Sequence, residues 1–202
     1  PEYTYMLQTM KKGKHVITAN KAVVSEHMEE LIKVSKENNV HFLFEASVGG
    51  GVPIISSLHQ TLYINRISEI KGILNGTTNF ILSKMAYEGW DFHDTLIKAQ
   101  EVGFAEADPT ADIEGFDISR KLSILSSIAF GAHIRDEHIY KRGIREVEQF
   151  DLKITQDMDY ILKYLAHAIL QDGNYYASVE PVLLPHTNIM SNVNEEFNII
   201  SI

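Results

Sequence analysis

The sequence predicts an α/β chain that passes into α+β: the closing part of a parallel strand–helix unit, followed by an α+β domain. Three observations carry this. A strand, a helix and a second strand follow one another within about 30 residues near the start, the spacing of a parallel crossover unit. An amphipathic stretch over residues 115–130 puts Ile118, Leu122, Leu125 and Ala129 on one helical face. Near the end, Asp172–Gly173 separates two β-compatible runs, the signature of a hairpin turn.

Taken in order, Tyr3, Leu7 and Met10 recur at helical spacing, and Gly13 suits the C-terminal cap. Residues 15–18 read as a short strand, with Ala19, Asn20 and Lys21 as its exit loop. Ser25 is the expected cap of a second helix with the stripe Met28, Leu31 and Ile32; Asn38–Asn39 ends it. Residues 41–47 read as the next strand. Gly49, Gly50 and Gly51 interrupt the pattern, and Pro53 fits the first turn of a helix backed by Ile54, Ile55, Leu58 and Leu62. Residues 67–74 form a strand, Asn75–Gly76 turns the chain, and Thr77 or Thr78 caps a helix to about Glu88. Asp91 caps another, stopped by Gly103, and Asp108–Pro109 marks a loop. Residues 162–170 are ambiguous: Ala166 and Ala168 suit a helix, but the Asp-Gly turn that follows favours a strand paired with residues 175–183.

Hydrophobic residues make up 45% and charged residues 22%, a globular balance, and no apolar run approaches the ~20 residues of a membrane span. The first apolar run is short and followed by Lys11, Lys12 and Lys14, unlike a secretory signal. Cysteine is absent, which excludes disulfides, thiolate metal sites and a cysteine nucleophile, and fits a cytoplasmic protein. A net charge of -9 without a basic, aromatic-interleaved patch speaks against nucleic acid as a partner. The histidines show no metal pair at helical spacing. The chain opens on Pro1 directly before a helical pattern and stops at Ile202 inside an apolar run, so it reads as a piece cut from a longer protein. No G-x-G-x-x-G occurs: Ile54 stands where the last glycine of such a loop would follow Gly49 and Gly51.

The richest local chemistry lies in AQEVGFAEADPTADIEGFDISRK, residues 99–121, with Glu101, Glu106, Asp108, Asp112, Glu114, Asp117 and then Lys121. Acidic residues ahead of a helix suit its N-terminus electrostatically, and Asp117 and Lys121 form an i,i+4 pair. The stripe they begin continues through Ile124 and Ile128, which predicts a covered face, where charges are paired or functional. The spacing is not that of a calcium loop, since Ile113 occupies the position that needs glycine.

This segment resembles the signature of the homoserine dehydrogenase family. The matching residues are Ala99, Gly103, Phe104, Ala105, Asp108, Pro109, Asp112, Gly115, Asp117 and Lys121. GKHVITANKA, FEASVGGGVPII, ILNGTTNFIL and VEPVLLP are similar to family segments in the same order, so the resemblance covers essentially the whole chain. It implies that residues 1–40 are the last part of a Rossmann-like nucleotide-binding domain and residues 41–202 a catalytic, substrate-binding and dimerisation domain. It further implies interconversion of L-homoserine and L-aspartate 4-semialdehyde with NADP or NAD, in threonine and methionine biosynthesis, by a homodimer.

Roles implied by the resemblance follow residue by residue. Lys121 is the expected proton donor. Gly103, Glu106 and Asp117 match substrate contacts, Glu106 for the ammonium and Asp117 for the reacting oxygen or Lys121. Lys21 matches a cofactor-binding lysine. Glu45, Val48, Gly50 and Val52 match a sodium site, in which a glycine-rich turn aims carbonyl oxygens at a hard cation and a carboxylate supplies countercharge. The phosphate-cradling loop is expected upstream of Pro1 and the segment completing the nucleotide domain beyond Ile202. Two other functions remain open from sequence: a non-catalytic folding and dimerisation module, and a hydrolase using two of the clustered acids.

Overall fold

The computed structural model describes residues 1–202, which divide into two compact units. The first comprises residues 1–68 and 120–138, the second residues 69–119 and 139–202.

In the first unit, α1 (Glu2–Lys11), β1 (Val16–Ile17), α2 (Lys21–Glu37) and β2 (Phe42–Leu43) form the expected strand–helix–strand arrangement. The two strands are parallel, with Val16 beside Phe42 and Ile17 beside Leu43. Met10, Val16, Leu31 and Val34 form the core beneath them, flanked by Tyr3, Leu7 and Val23. The cap of α2 differs from the expectation. Asn20 caps it, its side-chain oxygen accepting from the Val23 amide at 3.1 Å. Ser25 sits buried inside the helix and donates to Ser123 Oγ at 3.1 Å. The helix thus starts five residues early, because Asn20 offers a capping oxygen directly at the strand exit. Lys21 opens the helix rather than lying in a loop. The strand expected over residues 41–47 is also shorter. After Leu43 the backbone curls into a 3-10 turn, Glu45–Ser47, whose Ser47 Oγ donates to Phe44 O at 2.6 Å. The helix α3 (Ile54–Leu62) follows.

The second unit contains β3 (Glu69–Ile73), α4 (Gly76–Glu88), α5 (Phe92–Glu101), the short α6 (Thr110–Ile113) and the first turn of α7 (Phe116–Phe130). It continues with β4 (Tyr140–Lys141), α8 (Gln149–Asp157), β5 (Tyr160–Gln171), β6 (Asn174–Pro185) and β7 (Ile199–Ser201). Residues 162–170 are indeed strand. The sheet order is β4-β6-β5-β3-β7, with β4 parallel to β6 and the other neighbours antiparallel. Asp172 and Gly173 both take positive φ, 52° and 78°, as a two-residue hairpin of this twist requires.

Alternation along the strands separates the two faces of the sheet. Tyr164, Ala166, Ala168 and Val179 are buried on one face, with Gly115 against Tyr164 and Val179. On the other, Lys163 and Leu165 are buried as well, and only towards the hairpin end does the face open, where Glu69 lies between Lys71 at 2.8 Å and His167 at 2.9 Å, all half-exposed. Helix α4 is buried almost all round, from Thr77 to Ser83. Asn75 both turns the chain and caps α4, in place of the expected Thr77 or Thr78.

Candidate active site

The end of β3 delivers Asn75 to the start of α4, where all its polar capacity is used. Its Oδ1 accepts from the Thr78 amide and the Thr78 hydroxyl, each at 2.9 Å. Its Nδ2 donates to Asp112 at 2.7 Å and to Asp117 at 2.9 Å. One amide therefore joins three elements: the first turn of α4, the short α6 and the first turn of α7. Asp117 is 5% exposed, as its covered stripe predicted, whereas Lys121 on the same helix is half-buried. A carboxylate out of water is costly unless hydrogen-bonded; the Asn75 amide and the N-terminal end of α7 meet that need.

The loop after α5 is tied to the same place. Gly103 ends the helix at φ 84°, a left-handed conformation that a Cβ would strain. Thr77 Oγ1 donates to Phe104 O at 2.6 Å, and the Phe80 and Phe104 rings lie 5.0 Å apart. Gln100 holds the Glu106 carbonyl at 3.0 Å and leaves the Glu106 side chain exposed. Asp108 accepts from the Thr110 amide at 3.1 Å, and bonding to Thr110 holds its carboxyl below its ordinary range. Gly115, at φ 84°, opens α7, and the Tyr164 hydroxyl occupies the space a side chain there would need. Of the acidic segment, Asp112 and Asp117 meet at the N-terminus of α4, while Glu114 pairs with Arg145 at 2.7 Å and Glu101 with Lys98 at 3.1 Å. Asn75 and Thr77 are site residues that residue-by-residue reading missed. Their signal in ILNGTTNFIL is that of a turn and a cap, which says nothing of tertiary partners.

In the first unit, Lys21 is half-buried at the N-terminus of α2, directly after the carboxyl end of β1. Dinucleotides and phosphates favour that place in parallel sheets, because helix amides and dipole face it. The Glu45–Val52 turn has a different logic from the one expected of its carboxylate. Glu45 accepts from the Ile55 amide at 2.9 Å and the Ser56 amide at 3.0 Å, so its side chain caps the start of α3. Gly49 and Gly51 take φ 67° and 76°. The Gly49 and Val52 carbonyls accept backbone amides at 2.8 Å, while those of Val48 and Gly50 accept none. The donors on offer to a cation there are carbonyl oxygens, which suit a hard monovalent ion. No cluster of three or more His, Asp or Glu side chains is arranged to hold a metal.

The chemistry this permits is acid–base and polar recognition. Two carboxylates sharing one Nδ2 are drawn to the same point, not set on opposite faces of a substrate as a carboxylate-pair hydrolase requires. A short acidic loop beside the N-terminus of α4 instead suits a small polar molecule with a charged end.

Comparison with known proteins agrees. The family model described as "Homoserine dehydrogenase" matches residues 53–202, and "Homoserine dehydrogenase, NAD binding domain" matches residues 3–45. The homoserine dehydrogenase of Lactococcus lactis is 39% identical over 202 residues, covering all of this chain and 47% of the relative. A crystal structure of a homoserine dehydrogenase from Thiobacillus denitrificans superposes with a TM-score of 0.96 at 40% identity, covering 99% of this chain and 46% of that one. A hyperthermophilic archaeal homoserine dehydrogenase in complex with NADPH superposes at 0.83 with 31% identity, covering 98% and 57%. The chain spans about half the length of the relatives it matches. With the model covering most of its length and the fold shared throughout, this chain belongs to the homoserine dehydrogenase family.

Proposed function

We propose that the chain is the substrate-binding and catalytic portion of an NAD(P)-dependent homoserine dehydrogenase, interconverting L-homoserine and L-aspartate 4-semialdehyde. The observation that carries this is the Asn75–Asp112–Asp117 cluster at the start of the helix that bears Lys121. A bound nicotinamide would supply the hydride for reduction of the aldehyde and take it up in oxidation of the alcohol. Negative charge that develops on oxygen during reduction needs a proton, and Lys121 is the donor; in reverse its neutral amine takes the alcohol proton. Homoserine oxidation releases a proton, so alkaline pH favours it. Asp117 orients the reacting oxygen or Lys121. Glu106, exposed on its loop, pairs with the substrate ammonium, and Gly103 lets the backbone approach.

Lys21, at the helix N-terminus after β1, contacts the cofactor, NADP or NAD. The boundary between nucleotide-binding and catalytic parts is placed near residue 40. Sodium is held by carbonyl oxygens of Glu45, Val48, Gly50 and Val52, with the Glu45 carboxylate bracing the turn against α3. A second copy of the chain covers the open sheet face around Glu69, Lys71 and His167, giving a homodimer. The cysteine-free composition supports a cytoplasmic setting; no helix is long and apolar enough to cross a membrane.

The test is homoserine-dependent reduction of NADP or NAD by the full-length protein and its Lys121 variants. Lys121→Ala is expected to cut kcat by on the order of 10²–10⁴ with cofactor affinity nearly unchanged. Lys121→Arg fails as well, since guanidinium does not release its proton near neutral pH. Retention of kcat within about threefold would remove Lys121 from this role.

A further inference from the structure

Between the 3-10 turn Ile189–Asn192 and β7 the chain crosses the start of α4 as a strap, residues 193–198. Its residues are half-buried or exposed, but its backbone and side chains are tied to β5 and α4. Lys163, on β5 and 1% exposed, donates to Val193 O at 2.6 Å, to Asn194 Oδ1 at 2.9 Å and to Asn79 Oδ1 at 3.5 Å. Every one of these partners is a neutral oxygen. A lysine on a buried strand position costs free energy that a leucine there would not. Asn79, on α4, completes the arrangement by donating to Val193 O at 3.1 Å and Phe197 O at 3.2 Å. Further along, the Glu195 amide donates to Ser83 Oγ at 3.1 Å, and Lys84 pairs with Glu195 at 3.2 Å.

Two glycines show how close the strap runs. A Cβ at Gly76, the first residue of α4, would lie 2.8 Å from Glu196 O. A Cβ at Gly72, four residues earlier on β3, would lie 2.7 Å from Ile199 O, where β7, the strand into which the strap runs, pairs with β3. The backbone of the strap therefore rests on the same turn that presents Asn75 and Thr77 to the acidic cluster and to the Gly103–Glu106 loop.

We propose that Lys163 and Asn79 are positioning residues: through the strap they fix the first turn of α4, and thereby set the placement of Asn75 and Thr77 against homoserine. This rests on the homoserine dehydrogenase reading above. Lys163 touches no site residue except through Asn79 and the strap, so its effect is on the geometry of substrate recognition rather than on proton transfer. Misplacement by about 1 Å is enough to cost up to about 10²-fold in rate.

The experiment compares wild-type full-length protein with Lys163→Met and Ser83→Ala, after circular dichroism has checked folding. It measures kcat and KM for homoserine and for NADP, and hydrogen exchange of residues 74–80. Lys163→Met is expected to lower kcat/KM for homoserine about tenfold or more, to leave the NADP KM within about twofold, and to speed exchange at the Thr78 amide. Ser83→Ala, which removes only the acceptor of the Glu195 amide, is expected to raise the homoserine KM about threefold and decides the matter if Lys163→Met does not fold. Equal losses for homoserine and NADP, or a homoserine KM unchanged in the folded variants, would overturn the proposal. If wild-type protein does not oxidise homoserine, the functional reading fails while exchange at residues 74–80 still reports whether the strap fixes α4.

Discussion

Lys163 shows how a single buried group leaves a mark that can be measured. Burial pushes its pKa down from 10.5 to about 8. Below about pH 8 the lysine is protonated in both folded and unfolded chains, and the cost of burying the charge is present in full. Between about 8 and 10.5 the unfolded chain holds a proton that the folded chain has lost, so this group makes stability rise with pH. The gain is on the order of 3 kcal/mol at most. Urea midpoints of wild type and Lys163→Met at pH 7.5 and 9.5 are expected to diverge in favour of wild type at the higher pH; a constant difference would show that Lys163 is not desolvated as described. Sequence gave no hint of it, because one lysine in an apolar strand run reads as an edge or a surface position. Asp117 was legible, because the apolar continuation of its stripe through Ile124 announced that the face is covered. Asn75 was half legible: its turn propensity was plain, but its bonds to Asp112 and Asp117, 37 and 42 residues away, are tertiary.

At the scale of elements, local chemistry predicted ends better than extents. Asp91 caps α5 and Gly103 follows its end as read, since both signals lie in adjacent residues. The strand expected over residues 41–47 shrank because its second half serves a neighbour: the Glu45 carboxylate caps α3 through Ile55 and Ser56. The Asp-Gly hairpin was legible, while β4 and α8 escaped because short or weakly patterned segments are fixed by packing on the sheet. The Glu45–Val52 turn carries its own prediction. Glu45→Ala removes three hydrogen bonds at the start of α3 and loosens the carbonyls behind it. In the full-length protein, activity is expected to depend partly on sodium, and the variant is expected to lose activity and that dependence together. Equal rates in sodium-free and sodium-containing buffer, with an unaffected variant, would exclude the cation from this turn.

For the whole molecule, the parallel pair β1 and β2 is the informative feature. Parallel sheets are normally covered on both faces, yet Ile17 and Leu43 are 79% and 52% exposed here. The α+β unit, by contrast, has a five-stranded sheet with buried residues on both faces and a substantial core of its own. The family and most of the fold were readable from this chain. The most direct test of the account titrates NADPH fluorescence with the 202-residue chain and, in parallel, with a protein extended to the full length of its relatives. The 202-residue chain is expected to fold but to show no saturable NADPH binding and no turnover, while the extended protein is expected to bind NADPH and oxidise homoserine. Saturable binding of micromolar NADPH by the 202-residue chain alone, or an extended protein that binds cofactor yet leaves homoserine untouched, would contradict it.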